Sequence, residues 1–534
     1  MCMKRLPLGI QTFEKIIESD CVYVDKTSYI YELIQGGCFF FARPRRFGKS
    51  LLCSTLSSLF LGHRELFKGT WIEKSTNYKW PVHPVIHLDL SQVSRESPEV
   101  LNASLMRRLD IIAEEHDIGP IGHSTAGEML GILVMRLFKK FGSKNRVVLI
   151  IDEYDKPILD HIEKIEIADK MREVLKNFYE AIKGLDKYLH LVFITGVTRF
   201  SKTSLFSGLN QLVNISMDPR FAHLVGYTEG ELRFYFRDHL QHIVDEKNVS
   251  LKGGTDELVA MLQNWYDGYR FWRDLTGKAA DEIARLYTPF SVLNFLYTAD
   301  FSNYWFESGT PTFLIKIFEQ YHYSIESFEN LTADMNELMT FDITNIPLTT
   351  LLFQSGYATI KNYDRVTQTY ALEMPNYEVR DSLLKTIVAS MAKQRVSEIN
   401  STLVELRQAL EKENLDLFIN TIKKFYSMVP YTITVDKEKY YQTIFFILLQ
   451  LVSLRPDVEK ATNIRRVDLI VETSRALYIF EFKLNKSAQE ALKQIVDMHY
   501  HEAYYGCGKK IILVGVNFSS DVKNITEFLV QKLQ

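Results

Sequence analysis

The stretch that decides the fold is Phe39-Phe40-Phe41-Ala42-Arg43-Pro44-Arg45-Arg46-Phe47-Gly48-Lys49-Ser50-Leu51-Leu52. An apolar run ends at Ala42, a basic turn follows, and Gly48-Lys49-Ser50 opens a segment with apolar residues at helical spacing. This succession is typical of a strand, a phosphate-binding loop and a helix. In such a loop, backbone N–H groups at the helix start face an anion, the lysine adds a point charge and the serine hydroxyl can bind Mg²⁺.

The loop departs from the full P-loop signature at one place, because the glycine expected five residues before Gly48 is replaced by Arg43. The tripeptide alone is therefore a moderate signal, and the rest of the chain has to support it. The expected nucleotide contacts come from the loop and the first helical turn, at Arg45, Arg46, Gly48, Lys49, Ser50 and Leu51.

A second predicted strand is followed by two acidic residues. Five consecutive branched apolar residues, 147–151, precede Asp152 and Glu153, which is typical of a central strand covered on both faces. An aspartate at such a strand end can hold Mg²⁺ with Ser50, and the following glutamate can orient or deprotonate an attacking water. The alternative is a buried strand that ends in an ordinary acidic turn.

A third apolar run, 189–197, ends in Thr198 and Arg199. A polar residue at this place can sense the terminal phosphate of a bound nucleotide, although a plain polar turn explains the pair equally well. Alternating strands and helices predict a parallel sheet, and ligands bind beyond the carboxyl ends of its strands. All three polar clusters follow such ends, and the sequence therefore predicts an α/β P-loop NTPase core.

The composition excludes several classes of protein. The chain has 534 residues, 46% of them hydrophobic and 24% charged, which indicates several globular domains. A net charge of −3 gives no overall nucleic-acid signature, and five scattered cysteines form no metal or disulfide pattern. The first residues contain no sustained apolar run, so a signal peptide is not expected, and the longest uncharged apolar segment is too short to span a bilayer. These features predict a cytoplasmic protein without membrane contact.

The middle of the chain is predicted to be helical and rich in aromatic residues. Its densest segments are 265–271, 287–290 and 303–306. Aromatic residues interleaved with arginine can stack on bases, but they more often fill a helical core. The segment 351–360 is typical of the helix end and hairpin of a winged-helix-like or lid subdomain.

A second site is predicted near the C-terminus. The run 477–484 is apolar except for Glu481 and Lys483, which share one face of a predicted strand. Asp468 precedes Glu481 by 13 positions, a distance that a hairpin can close. Two carboxylates on adjacent strands can hold Mg²⁺, and the lysine can orient a nucleophile or stabilise charge on a phosphate. The pattern alone is weak, because such pairs are common on solvated faces.

These motifs together resemble bacterial AAA-ATPase-like proteins that carry a C-terminal PD-(D/E)xK nuclease-superfamily domain. The resemblance extends over nearly the whole chain, and its signature segments are 6–10, 23–27, 43–50, 151–155, 196–201, 265–269, 303–305 and 468–483. Proteins of this family have the same arginine-rich loop, so that Arg43 is a family trait. The resemblance implies ATP as nucleotide and a restriction-endonuclease-like α/β fold at the C-terminus. It also implies an acidic residue on the first nuclease helix, for which Glu438 is the nearest candidate, while the other expected position holds Gln442.

Three domains are expected: a P-loop domain over 1–227, a helical, lid-like domain over 228–400, and a helical lead-in with the nuclease-like domain over 401–534. The first functional hypothesis is ATP hydrolysis coupled to Mg²⁺-dependent cleavage or processing of DNA or RNA. Glu153, Asp468, Glu481 and Lys483 would then be catalytic. The alternative is a non-catalytic ATP-dependent switch whose C-terminal domain binds nucleic acid or a protein. Similar ATPases often take an arginine from a neighbouring copy, which leaves a homo-oligomer open.

Overall fold

The computed structural model describes residues 3–122, 125–200, 205–206, 208–246, 251–272, 285–307, 331–341, 347–429, 437–453, 469–506 and 508–533. For residues 307, 437–443, 453 and 469 it describes the backbone alone. The described residues fall into two compact units. One contains those before residue 308 together with Leu331 to Asn376, and the other contains those from Tyr377 onward.

The first unit is built on a parallel sheet. Its strands are β1 (Gly37–Ala42), β2 (Val85–Asp89), β3 (Val147–Asp152), β4 (Leu189–Gly196) and the short β5 (Val213–Asn214). They lie in the order β2-β3-β4-β1-β5, and each neighbouring pair is parallel. Every residue of β3 is buried, as expected for a central strand covered on both faces. The predicted α/β core is confirmed.

Helices connect these strands and flank them. In this part of the chain they are α1 (Phe13–Glu18), α2 (Thr27–Leu33), α3 (Lys49–Phe60), α4 (Trp71–Ser75), α5 (Pro98–Glu115), α6 (Ala126–Phe141), α7 (Lys156–Leu159) and α8 (Ile165–Lys183). The helix after the loop, α3, packs on β2 and β3, and its Leu52, Leu56 and Leu59 are fully or almost fully buried. Since α3 starts directly after the loop, this packing fixes the loop at the carboxyl edge of the sheet.

The rest of the first unit is mainly helical, as predicted. Its helices are α9 (Glu229–Tyr235), α10 (Arg237–Glu246), α11 (Gly254–Tyr266), α12 (Pro289–Thr298), α13 (Tyr304–Glu307), α14 (Met335–Met339) and α15 (Leu348–Ser355). A small antiparallel sheet of β6 (Thr332–Asp334), β7 (Thr359–Asp364) and β8 (Thr369–Glu373) has the order β6-β8-β7. The expected helix end and hairpin at 351–360 are therefore present as α15 and β7-β8.

The second unit begins with the helices α16 (Tyr377–Ala392), α17 (Val396–Glu411), α18 (Leu415–Ser427) and α19 (Lys437–Ser453). Its mixed sheet consists of β9 (Leu469–Glu472), β10 (Ala476–Leu484), β11 (Lys510–Ser519) and β12 (Asn524–Leu533), in the order β12-β11-β10-β9. Strands β10 and β11 are parallel, and the outer pairs are antiparallel. Helix α20 (Ala488–Asp497) packs on β10 and β11 through Leu492 and Ile495.

Within the described part of the chain, no helix combines the length and the apolar character that a bilayer crossing requires.

Candidate functional site

The phosphate loop has a backbone that only particular residues adopt readily. Gly48 has φ of +97°, in the left-handed region that glycine enters without steric cost, and α3 begins at the next residue. Arg46 also has a positive φ, +69°. The backbone conformation thus explains why glycine precedes the lysine, because the chain turns at Gly48 before it enters α3.

Lys49 is the first residue of α3 and is 6% exposed. Its Nζ donates to the carbonyl oxygens of Arg43 and Pro44, at 3.0 Å each. Burial lowers the pKa of this ammonium, while Asp152 and Glu153 act in the opposite direction. The loop therefore surrounds a buried cation whose hydrogen-bond partners, among the described residues, are neutral carbonyls of the loop itself.

Asp152 ends β3 and is 1% exposed. Burial raises the pKa of its carboxyl, whereas a hydrogen bond from Ser50 and the charge of Lys49 lower it. Asp89 ends β2 directly beside Asp152 in the sheet and also raises this pKa. The structure thus brings Lys49 and Ser50 of the loop together with Asp152, which lies about 100 positions later in the chain.

Glu153 follows Asp152 in a left-handed backbone conformation, with φ of +51°. Its N–H donates to Asp152 Oδ1 at 3.0 Å, and its side chain is half-buried. Burial raises the pKa of the Glu153 carboxyl, and Lys49 is the main group that lowers it. A non-glycine residue held at positive φ stores strain, which is characteristic of functional sites.

The end of β4 is fastened to the end of β3 by Asp155. Its Oδ2 accepts hydrogen bonds from the N–H of Val197 (3.0 Å), the N–H of Thr198 (2.6 Å) and the Thr198 hydroxyl (2.7 Å). Because β4 lies between β1 and β3, these residues are placed between the loop and the acids. The sequence analysis did not predict this role of Asp155, although the sequence shows it as the second acid after β3.

Arg199 is half-buried, and burial lowers its pKa. Its backbone N–H donates to Gln354 Oε1 at 2.9 Å, and its carbonyl accepts from the N–H of Phe341. Within the part of the chain that the structure describes, no hydrogen bond or ion pair joins the Arg199 side chain to Lys49 or to the acids. Its role as a phosphate sensor therefore remains a prediction.

The three loop arginines have different surroundings. Arg43 is 2% exposed and donates to the carbonyls of Ala42 and Ser216. Its side chain is therefore buried in the interior of the first unit. Arg46 lies over the Phe290 ring, with 4.2 Å between its Cζ and the ring centroid, and the nearby charge of Glu153 acts on it. Arg45 is exposed. Arg45 and Arg46 thus remain at the loop surface.

The aromatic middle segments hold the loop in place. The Trp305 indole N–H donates to the carbonyl of Arg45 at 3.0 Å. Phe47 is fully buried against the rings of Tyr269 and Phe271, and Gly356 lies against Pro44. These segments form part of the core, which is the more common role of such residues, and they also support the loop.

Leu51, another predicted nucleotide contact, is half-buried in the first turn of α3.

The donors at this site fit a hard cation. Ser50 supplies a hydroxyl and Asp152 a carboxylate, the oxygen ligands that Mg²⁺ prefers, and Mg²⁺ commonly uses one or two protein ligands besides phosphate and water. Across the described residues, no cluster of three or more His, Cys, Asp or Glu side chains is arranged to hold a metal by itself. A site that is completed by a nucleotide's phosphates is compatible with this donor set.

In the second unit, Glu481 and Lys483 lie on β10. Glu481 is 2% exposed, and Lys483 Nζ lies 3.0 Å from its Oε1. They share the strand face of Ile479, which α20 covers, and Gly515 stands opposite Glu481 on β11. Burying charged groups among apolar residues costs free energy, so this buried ion pair is unusual for the strand.

Two predicted residues of this second site cannot be placed. Asp468 lies outside the described residues, and the antiparallel pairing of β9 with β10 is described as far as Leu469, opposite Phe480. Glu438 belongs to α19, but its side chain also lies outside the described part of the chain. The predicted pair of Asp468 and Glu481 therefore remains a prediction.

The parallel sheet, the loop that leads into α3 and the acids after β3 define the class of P-loop nucleotide-binding proteins. Comparison with known families refines this class. Residues 7–206 match the family described as predicted AAA-ATPase, and residues 436–528 match the PD-(D/E)XK nuclease superfamily.

A curated relative matches the full length of the chain. It is an uncharacterised protein in the vnfD 5′ region of Azotobacter chroococcum mcd 1, with 34% identity over 100% of both chains. The chain belongs to the predicted AAA-ATPase family and carries a C-terminal PD-(D/E)XK nuclease-superfamily domain, which confirms the resemblance inferred from the motifs.

Proposed function

We propose that the first unit binds and hydrolyses ATP with Mg²⁺. The observation that carries this proposal is the juxtaposition of Ser50 and buried Lys49, at the start of α3, with buried Asp152 at the carboxyl end of β3 in the parallel sheet. Lys49 would exchange its two loop carbonyls for phosphate oxygens. Ser50 and Asp152 would hold Mg²⁺, which when bound offsets charge on the phosphates.

Glu153 is the proposed general base. Its raised pKa brings its basicity closer to neutral pH, which suits proton removal from a water. Arg45 and Arg46 add positive charge beside the loop, while Gly48 and the first N–H groups of α3 supply backbone donors. Thr198 and Arg199 are proposed to sense the terminal phosphate from the end of β4.

Two substitutions separate binding from hydrolysis. In Lys49→Ala, ATP affinity should fall by about 10- to 100-fold, because a charge-assisted hydrogen bond is lost. In Glu153→Gln, ATP binding should persist, while phosphate release should fall by about 100-fold or more. Calorimetric titration and phosphate release on the full chain measure the two effects.

The same experiment tests the alternative. If the wild type binds ATP but releases no phosphate above the level of Glu153→Gln, the ATP-dependent switch replaces the hydrolase. If neither ATP binding nor its dependence on Lys49 is observed, both versions are excluded.

For the C-terminal domain we propose Mg²⁺-dependent cleavage of DNA or RNA. The buried Glu481–Lys483 pair supports this, with Asp468 and Glu481 as proposed metal ligands and Lys483 as the residue that orients the nucleophile. The membership of residues 436–528 in the nuclease superfamily points the same way.

Cleavage is tested by incubating the full chain with single- and double-stranded DNA and RNA, Mg²⁺ and ATP. Lys483→Met should reduce cleavage by at least about 100-fold if the lysine acts on the reacting groups. Lys510→Met is the matched control, because Lys510 starts the adjacent strand and pairs with Glu413 near the surface. If the wild type and Lys483→Met leave every substrate equally intact, the domain binds without cutting.

A further inference from the structure

The segment that follows β4 carries the residues proposed to sense the terminal phosphate, and its backbone is held from two sides. On the side of β3, Asp155 accepts a hydrogen bond from the N–H of Thr198. The Tyr154 hydroxyl donates to the carbonyl of Thr198 at 3.0 Å and accepts from the N–H of Phe200 at 3.2 Å. Thr198 and Phe200 are thus fixed to residues that directly follow β3, whereas Arg199 between them has other backbone partners.

The backbone of Arg199 is held by the helical part of the first unit. Its N–H donates to Gln354 Oε1 at 2.9 Å, and its carbonyl accepts from the N–H of Phe341, also at 2.9 Å. Gln354 belongs to α15 and is 7% exposed, and its Nε2 donates to the carbonyl of Leu338 in α14 at 2.8 Å. The oxygen and the nitrogen of this buried amide are therefore both engaged, and the oxygen determines where the Arg199 backbone lies.

The same helix also reaches the phosphate loop. Gly356 directly follows α15 with φ of +92°, and a Cβ at this position would lie 2.7 Å from Cβ of Pro44. Arg199, Gln354 and Pro44 border one narrow pocket. Because α15 contacts the loop and the segment after β4, its position determines how Arg199 lies relative to the loop.

We propose that Gln354 is a positioning residue, which holds Arg199 where its side chain can reach the terminal phosphate of ATP. This proposal rests on the proposed function, in which Arg199 senses that phosphate. The amide holds the backbone of Arg199, and in the described part of the chain the guanidinium has no ion pair that would compete with a phosphate. Since ADP lacks the terminal phosphate, Gln354 should affect the affinity for ATP and not that for ADP.

The test is calorimetric titration of the full chain with ATP and with ADP in the presence of Mg²⁺. Every variant carries Glu153→Gln, so that bound ATP persists, and Glu153→Gln alone is the parent. Adding Gln354→Met should lower ATP affinity by about tenfold and leave ADP affinity unchanged, because a displaced Arg199 loses a charge-assisted hydrogen bond. Gln354→Glu should act in the same way, because its carboxylate would pair with the Arg199 guanidinium, and it decides the matter if Gln354→Met does not fold.

Two further variants separate positioning from mere support of the fold. Thr350→Val is the matched control, because the Thr350 hydroxyl donates to the carbonyl of Glu337 at 2.6 Å and so also joins α15 to α14. It should bind both nucleotides as the parent does. Arg199→Met should lower ATP affinity about as much as Gln354→Met, and the two changes together should lower it no further, because both remove the same contact.

The proposal is overturned if Gln354→Met binds ATP and ADP as the parent does, or if its effect adds to that of Arg199→Met. It is also overturned if Thr350→Val lowers ATP affinity as much as Gln354→Met. ATP binding that depends on Lys49 but not on Gln354 refutes this proposal alone. Absence of ATP binding, or ATP binding that does not depend on Lys49, refutes the proposed function and this proposal with it.

Discussion

Asp267 makes the aromatic segment sensitive to pH. It is 5% exposed, and its Oδ1 has no hydrogen-bond partner among the described residues. Burial raises the pKa of this carboxyl to about 7, although the N–H of Gly268 and the charge of Arg285 lower it. The folded chain therefore holds the Asp267 proton more tightly than the unfolded chain does.

The sign of the resulting pH effect follows from this difference. The stabilisation by protonated Asp267 is complete below about pH 4 and is lost as the pH rises through about 7. Asp267→Asn mimics the protonated form at every pH. The midpoint of thermal unfolding of this variant, relative to that of the wild type, should therefore rise as the pH increases from about 4 to about 7. Thermal unfolding at pH 5 and pH 8 measures the change, and an unchanged difference between the two proteins would contradict the prediction.

Asp364→Asn is the control, because the N–H groups of Val366 and Thr367 lower the pKa of that exposed carboxylate. Relative to the wild type, the midpoint of thermal unfolding of Asp364→Asn should fall as the pH increases. This change should occur at lower pH than the change in Asp267→Asn.

At the scale of elements, Asp155 joins the ends of β3 and β4. Asp155→Ala would leave the buried N–H of Thr198 and that of Val197 without their acceptor, at a cost of about 2–4 kcal/mol in the free energy of unfolding. Thr198→Val removes only the hydroxyl bond and should cost about 1 kcal/mol. Denaturant unfolding measures both values, and equal costs for the two variants would show that the backbone bonds contribute little.

The sequence predicted the strand ends well, because each is marked locally. An apolar run that stops at Ala42, Asp152 or Thr198 needs no knowledge of distant residues. The position of β4 between β1 and β3 was not predictable in this way, since parallel pairing joins strands that are far apart in the chain. The roles of Asp155 and of buried Arg43 likewise depend on partners that only the folded sheet supplies.

The contact between Trp305 and Arg45 is another case. These residues are separated by 260 positions, and nothing in either local pattern indicates a hydrogen bond between them. The segment 303–306 was interpreted as helical core from its composition alone, and composition cannot specify which loop a core supports.

At the scale of the whole molecule, the chain combines two compact units with separate candidate sites. If ATP hydrolysis drives cleavage, Lys49→Ala should slow cleavage by about the factor by which it slows phosphate release. Lys483→Met should abolish cleavage but leave phosphate release without nucleic acid unchanged. Both rates are measured on the same preparation, and full cleavage by Lys49→Ala would show that the two activities are independent.

The support of the phosphate loop also has a consequence for synthesis of the protein. Ribosomes make the loop at residues 43–48 early, but its contacts with Phe290, Trp305 and Gly356 come from residues made much later. A nascent chain that ends before Trp305 contains every residue of the nucleotide motif without the groups that hold it. We therefore expect that growing chains acquire ATP affinity late, once the segment through Gly356 has emerged and folded.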